Sequence, residues 1–276
     1  MQTECSDDKL AFAHGVADDA SGLALRFFSV GVGATAKADG SPVTEADVAV
    51  EQLIRSLIQS RFSDDAILGE ELGIVGSGAA RRRWIVDPIG GTSYFARNDP
   101  NWRIHLALEV GERLEVAVVA APALGLRWWA QRGSGAYEVN WPIDSNSDLE
   151  SIAAKCLLGR KLSTSNTAGL HLSQIACARQ DARQRLPAQC GTAPQSPLPL
   201  VELVRGEIDG FVAEGFQLWD HAPWILLVEE AGGRFTDRSG GNAGDQGGGV
   251  YSNAPLHVEL VRALSYGRPG SDYSRS

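Results

Sequence analysis

Three separated stretches of the chain place carboxylates beside a turn or at the start of a helix. The first, ILGEELG, is a short apolar run followed by Glu70 and Glu71. The second, WIVDPIGGTSYF, carries Asp87 where an apolar strand meets a proline and two glycines. The third, LWDHAPWILLVEEAGG, has Asp220 just before an apolar helix, where we expect it to act as the N-cap.

Each of these acids has a simple structural explanation when it is taken alone. Glu70 and Glu71 could be solvated turn residues, Asp87 a turn former before proline, and Asp220 only a helix cap. Together they are typical of a site for a hard cation. Mg²⁺ prefers oxygen ligands in octahedral geometry and keeps several waters, and carboxylates from strand ends and a helix start can converge on it. The pattern therefore predicts a magnesium site.

The elements that position these acids follow from the apolar periodicity. Apolar residues on one side predict a helix from residue 9 to about residue 30, and TEAD is a capping box that starts a second helix with Thr44 as its N-cap. Helices flanking strand-rich stretches favour a layered α/β fold. The further predicted strands are 83–87, 103–110, 114–120, 126–131, 136–139, the KCLL segment and GFV near 210, and the further predicted helices are 221–231 and 255–266.

Length and composition limit the classes of function. The chain has 276 residues, of which 43% are hydrophobic and 21% are charged, enough for one large core or two halves. A net charge of -9 argues against a nucleic-acid partner, since such binders need a basic face. We find neither a signal-like N-terminus nor a run of 18 apolar residues. We therefore expect a cytoplasmic protein without a membrane partner, and the four cysteines lack ligand spacing and are expected to be unpaired.

The quoted stretches, together with SPVTEAD, resemble the motifs of the inositol monophosphatase superfamily of metal-dependent phosphatases and span most of the chain. The segments YFARNDPNW and APALGLRWWAQRGSGAY are most similar to bacterial histidinol-phosphate phosphatases. The resemblance implies an α-β-α-β-α sandwich and Mg²⁺-dependent hydrolysis of a small phosphorylated metabolite by a homodimer. We expect an N-terminal α+β half at 1–140 with the metal motifs, a C-terminal α/β half at 141–266, and a disordered tail at 267–276.

The resemblance also implies the metal ligands. Glu70, Asp87 and the backbone carbonyl of Ile89 would hold the first metal. Asp87 would bridge to a second metal, with Asp220 as another ligand. The family motif is D-P-I-D-G-T, and its second aspartate is replaced here by Gly90. Family members hold two or three Mg²⁺ ions, so we expect fewer here.

Further roles follow from the same resemblance. Thr92 together with Glu70 would orient and deprotonate the attacking water, and the N–H groups of Gly91 and Thr92 would bind the phosphate. CGTAPQSPLPL begins like the family's substrate-side segment but then inserts three prolines, which indicates a reshaped wall. His221 could lie behind the metal ligand or be a simple surface or core histidine. The predicted substrate contacts are Arg97, Trp102, Gly191, Thr192 and Glu214.

The functional hypotheses differ in how they explain Gly90. The leading hypothesis is a histidinol-phosphate-like phosphatase in which Gly90, as an introduced or acquired change, impairs the second metal site. In that case, aspartate at this position would restore binding of the second metal and raise the rate of phosphate release. An inositol- or nucleotide-phosphate phosphatase is an alternative of the same class. An alternative of another class is a non-catalytic or repurposed member that binds a phosphorylated metabolite or a partner chain.

Overall fold

The chain divides into two compact units. The computed structural model describes residues 4–77, 80–142, 149–242 and 244–264. The division falls between Lys161 and Leu162, later than the predicted boundary at 140/141, because residues 160–161 still pair with the first unit's sheet. The predicted tail at 267–276 lies outside the described residues.

The first unit is built on a mixed sheet of eight strands. The elements in chain order are α1 (Glu4–Val30), β1 (Thr35–Ala36), β2 (Pro42–Val43), α2 (Glu45–Arg61), β3 (Ala66–Gly69), β4 (Gly73–Val75), β5 (Arg82–Gly90), α3 (Thr92–Ala96), β6 (Arg103–Val110), β7 (Arg113–Ala121), β8 (Leu126–Gln131), β9 (Gly135–Asn140), α4 (Leu149–Leu157) and β10 (Arg160–Lys161). The sheet has the order β10-β9-β8-β7-β6-β5-β3-β4. Strands β3 and β5 run parallel, and the other neighbouring pairs run antiparallel.

Helices α1 and α2 pack against each other and against the sheet. Four alanines on the predicted apolar side of α1 are buried in the core cluster shared with α2 and the strands. Small side chains let a helix approach its neighbours closely, and α2 also packs against β5. The buried alanines are Ala13, Ala17, Ala20 and Ala24.

The predicted strand at KCLL is wrong, because residues 155–157 form the last turn of α4. Ile152 is buried and Cys156 is half-buried against the same core. Residues four apart lie on one face of a helix, so both side chains of α4 reach this core.

The second unit has a five-stranded sheet in the order β12-β11-β13-β15-β14. Val212 and Val250 belong to a core cluster with Leu256 and Leu260 of the last helix, while Tyr251, on the opposite face, stacks on His221. Helices thus cover both faces of this sheet. The elements are β11 (Gln174–Cys177), α5 (Gln180–Arg183), β12 (Gly191–Thr192), α6 (Pro199–Val204), β13 (Gly210–Glu214), α7 (Leu218–Glu230), β14 (Gly233–Asp237), β15 (Gly248–Asn253) and α8 (Ala254–Ala263).

Two expectations from composition can be compared with the structure. Cys156, Cys177 and Cys190 are free thiols, as predicted, and burial raises the pKa of Cys156 and that of Cys177 to about 11, so both stay protonated at neutral pH. In the described part of the chain, no helix is both long and apolar enough to cross a membrane.

Candidate metal and phosphate site

Glu70 directly follows β3 of the first unit, and Asp87 lies within the adjacent parallel strand β5. Gly69 of β3 is paired with Val86 of β5, and the Glu70 N–H donates to the Val86 carbonyl at 3.1 Å. Neighbouring residues of parallel strands project to the same side of a sheet. The fold therefore brings these two predicted metal ligands to one edge of the sheet.

Asp87 is fully buried and lies directly opposite His105 of β6. The Nδ1 atom of His105 is 3.3 Å from Oδ2 of Asp87. The pairing of the two strands is irregular between Asp87 and Gly90, at the position of Pro88, which cannot donate to a ladder. Bulges of this kind redirect side chains next to active sites. His105 was not singled out in the sequence, because only the strand register places it beside Asp87.

Position 90 points directly at this pair. A Cβ atom added to Gly90 would lie 2.6 Å from Oδ2 of Asp87 and 3.0 Å from Cε1 of His105. A side chain at this position would therefore reach the Asp87 carboxylate, as a ligand of a shared metal must. It would also meet the histidine ring, so the side chains of Asp87 and His105 would have to shift to admit aspartate at position 90.

Thr92 is held by two acceptors. Its hydroxyl oxygen lies 3.0 Å from Oδ1 of Asp47 and 3.1 Å from the Ile89 carbonyl oxygen, and its single hydrogen can be donated to only one of them at a time. Gly91 before it has a φ of 90°, a left-handed conformation that glycine adopts without strain. With the hydrogen on Asp47, the Thr92 oxygen can accept a hydrogen bond from a water molecule.

Asp47 belongs to the capping box of α2 and also contacts Thr92, a contact that the capping pattern alone does not reveal. Thr44 donates to its Oδ2 from the backbone N–H at 2.8 Å and from the hydroxyl group at 2.5 Å, so the box predicted at the start of α2 is confirmed. The second carboxylate oxygen remains for Thr92. Burial raises the pKa of Asp47, although hydrogen bonds from Thr44 and Thr92 oppose the shift, and a raised pKa makes its carboxylate a better proton acceptor.

Lys37 contacts both glutamates of the ILGEELG turn. Its Nζ atom lies 2.8 Å from Oε1 of Glu70 and 2.7 Å from Oε1 of Glu71. Burial raises the pKa of Glu71 to about 7, an effect that Glu70 reinforces and Lys37 opposes. The lysine thus supplies a positive charge beside an acid pair that would otherwise repel itself. Lys37 was not singled out in the sequence.

The turn that carries Glu70 is held by hydrogen bonds to the Glu51 side chain of α2. The Glu51 carboxylate is fully buried and accepts hydrogen bonds from the N–H groups of Glu71, at 2.7 Å, and Leu72, at 3.1 Å. Arg55 donates to the same carboxylate at 2.8 Å. A Cβ atom at Gly69 would overlap this carboxylate, so only glycine fits between the strand and the helix.

Asp220 and His221 belong to the second unit. Asp220 is the third residue of α7 and accepts from the Gln217 N–H at 2.7 Å. The N-cap is Gln217 and not Asp220, because the helix begins three residues earlier than predicted. His221 is a core histidine, fully buried and 2.6 Å from the Tyr251 hydroxyl, and burial lowers its pKa to about 4. The ligand role of Asp220 stays a prediction.

The predicted substrate contacts fall into different environments. Arg97 is exposed, over the ring of Tyr94. Trp102 is 0% exposed and packs on Phe28 and Phe95, so in this conformation it presents no surface to a substrate and has the position of a core residue.

The other three predicted contacts lie in the second unit. Gly191 and Thr192 form the short edge strand β12. Glu214 ends β13 and forms an ion pair with Arg185 at 2.6 Å. These roles remain predictions.

The donors present fit a loosely held Mg²⁺ ion. Glu70, Asp87 and the Ile89 carbonyl are oxygen donors, as this cation prefers. Within the described residues, no group of three or more His, Cys, Asp or Glu side chains is placed to hold a metal. Mg²⁺ does not require one, because it is commonly bound through one or two carboxylates, waters and substrate phosphate.

Several known proteins are similar to this chain in sequence or in fold. A Streptomyces griseus protein named glucose-1-phosphate thymidylyltransferase is 36% identical over 250 residues, covering 90% of this chain and 92% of that protein. A Mycobacterium tuberculosis histidinol-phosphatase is 34% identical over 275 residues, covering 95% of this chain and 100% of that protein.

A solved structure of a Thermotoga maritima IMPase superposes with a TM-score of 0.73 at 27% identity, covering 94% of this chain and 97% of that one. This superposition confirms the predicted layered α/β fold. The sequence profile of the inositol monophosphatase family matches residues 7–266. The chain therefore belongs to the inositol monophosphatase family.

Proposed function

We propose that this protein is a metal-dependent phosphatase of a small phosphate monoester, of the histidinol-phosphate type, in which Gly90 weakens the second Mg²⁺ site. The observation that carries the proposal is the intact arrangement around the lost ligand. Glu70 and Asp87 share one sheet edge, and Thr92 is fixed between Asp47 and the Ile89 carbonyl.

This arrangement supports hydrolysis by water. Glu70, Asp87 and the Ile89 carbonyl would hold a Mg²⁺ ion, which would lower the pKa of water and favour its attack on a phosphate. In this proposal the Thr92 hydroxyl orients that water, and Asp47 receives the proton through Thr92. Glu70 assists from the metal side, with its charge balanced by Lys37 when no metal is bound. The N–H groups of Gly91 and Thr92 bind the phosphate.

The test is phosphate release with Mg²⁺ and with Mn²⁺ from a panel of histidinol phosphate, inositol phosphates, nucleoside monophosphates and glucose 1-phosphate. We expect slow release by the native chain, with histidinol phosphate preferred, and faster release once position 90 carries aspartate and His105 is replaced by serine. No release from any substrate, by either protein, would contradict the phosphatase function and favour a repurposed binding protein.

The name of the Streptomyces griseus relative adds one arm to this experiment. A thymidylyltransferase would form pyrophosphate from glucose 1-phosphate and dTTP, whereas a phosphatase forms inorganic phosphate. Measuring both products therefore separates the two reactions.

Size-exclusion chromatography with light scattering tests the expected homodimer.

A further inference from the structure

The place of the missing carboxylate is bordered by an imidazole. His105 and Asp87 are opposite residues of β6 and β5, so their side chains leave the sheet on the same face. Both side chains are buried. The ring is thus fixed beside the Asp87 carboxylate by the strand register and not by a flexible loop.

The same ring edge faces position 90. A Cβ atom there would lie 3.0 Å from Cε1 and 3.4 Å from Nδ1 of His105, and 2.6 Å from Oδ2 of Asp87. One nitrogen and one carboxylate oxygen therefore border the volume into which a side chain of residue 90 would project. Because residue 90 is glycine in this chain, it places no side chain in that volume, which His105 and Asp87 border.

The separation of the two atoms suits one small metal ion. Ligand bonds from a divalent transition metal to imidazole nitrogen or carboxylate oxygen are about 2.0–2.2 Å long. Two such ligands are about 2.9 Å apart at a right angle and about 3.4 Å apart at the tetrahedral angle. The distance between Nδ1 of His105 and Oδ2 of Asp87 is 3.3 Å, which lies within this interval.

We propose that Nδ1 of His105 takes the place of the missing aspartate as a metal ligand, next to Asp87, and that this centre binds a divalent transition metal such as Zn²⁺ or Co²⁺ in preference to Mg²⁺. Imidazole suits Zn²⁺ and its neighbours, whereas Mg²⁺ prefers oxygen donors alone. The inference rests on the proposed function in one respect, the assignment of Asp87 as a metal ligand. It concerns the identity of the metal and can be tested without turnover.

The test uses the full chain and two metals as probes. Calorimetry with Co²⁺ and Mg²⁺ gives the affinities, and the visible absorption of bound Co²⁺ reports its ligands. We compare the native chain with His105→Phe, which keeps an aromatic ring but removes the nitrogen. The matched control is His171→Ala, which removes an exposed imidazole in the second unit.

We expect the native chain to bind Co²⁺ more tightly than Mg²⁺. His105→Phe should lose about 10–100-fold in Co²⁺ affinity, since loss of even an indirect partner of a metal costs that much, and its Co²⁺ spectrum should change. Mg²⁺ affinity should stay within a few-fold, and His171→Ala should behave like the native chain. Unchanged or stronger Co²⁺ binding by His105→Phe would overturn the proposal. His105 would then be a neighbour of Asp87 that hinders metal binding there.

A second variant covers the case in which His105→Phe does not fold. In Gly90→Asp combined with His105→Ser, oxygen donors replace the nitrogen, and we expect the ratio of Co²⁺ to Mg²⁺ affinity to fall at least about tenfold. An unchanged ratio would overturn the proposal. Absence of phosphate release with every metal, by contrast, would refute only the proposed function, because these readouts do not depend on turnover.

Discussion

Aspartate at position 90 should not be tolerated by the native site without a cost. Its Cβ would lie 2.6 Å from Oδ2 of Asp87 and 3.0 Å from Cε1 of His105, and these buried side chains have little room to move. Overpacking of this kind costs about 1–3 kcal/mol, and a second carboxylate beside Asp87 adds like-charge repulsion. We expect Gly90→Asp alone to lower the free energy of unfolding by at least about 1–3 kcal/mol in metal-free buffer.

Replacing His105 by serine in the same chain removes the contact with the ring and leaves the two carboxylates, which a cation can hold together. At a Mg²⁺ concentration 100 times the dissociation constant, binding should stabilise this double variant by about 2.7 kcal/mol. Phosphate release should rise about 100-fold, which corresponds to about 2.7 kcal/mol of transition-state stabilisation.

The assay is urea unfolding with EDTA and with Mg²⁺, followed by phosphate release. The matched control is Gly90→Asn with His105→Ser, which has nearly the same shape but no charge. Equal stability of Gly90→Asp and the native chain in EDTA would refute the predicted overpacking at position 90. Equal stabilisation of the aspartate and asparagine double variants by Mg²⁺ would show that residue 90 does not face a metal.

Three further predictions concern single residues. Asp87→Asn should abolish metal binding measured by calorimetry, because an amide cannot supply the charge that both metals share; unchanged binding would remove Asp87 from the site. Glu70→Gln, made in the variant with aspartate at position 90 and serine at 105, should bind substrate but turn over about 10²–10⁴-fold more slowly, whereas a rate within a few-fold would remove Glu70 from the activation of water. Burial lowers the pKa of His221 and of His257 to about 4, below the unfolded value of about 6.5. The stability that each neutral ring contributes is therefore complete above pH 6.5 and falls by about 2 kcal/mol per histidine at pH 5, and a urea midpoint that is equal at pH 7.5 and pH 5 would contradict this.

Local patterns predicted those elements of the fold that depend on neighbouring residues. The strands at 103–110 and 126–131 have the predicted bounds, because apolar runs bounded by turn residues define a buried strand. The capping box at Thr44 formed as expected, since all of its atoms lie within four residues. The KCLL prediction was wrong because a short apolar run fits a strand and a helix end equally well.

The site depends on pairings that no local pattern contains. Asp47 meets Thr92 across 45 positions of sequence, and Lys37 reaches Glu70 from 33 positions away. His105 is placed beside Asp87 only by the register of two strands and the irregularity before Gly90. The resemblance to a family supplied the ligands, but their neighbours became known only from the tertiary structure.

One helix holds two parts of the site at once. Asp47 and Glu51, one turn apart on α2, hold Thr92 and the turn after Gly69 respectively. The amide hydrogens of Glu71 and Leu72 are therefore bonded to a helix side chain and not to their own turn. In hydrogen-exchange terms, these amides open only when α2 moves away or Glu51 changes its rotamer, so the turn and the helix form one cooperative unit. Loosening α2 anywhere along its length would then loosen both the Asp47–Thr92 pair and the turn that carries Glu70, although neither lies at the point of damage.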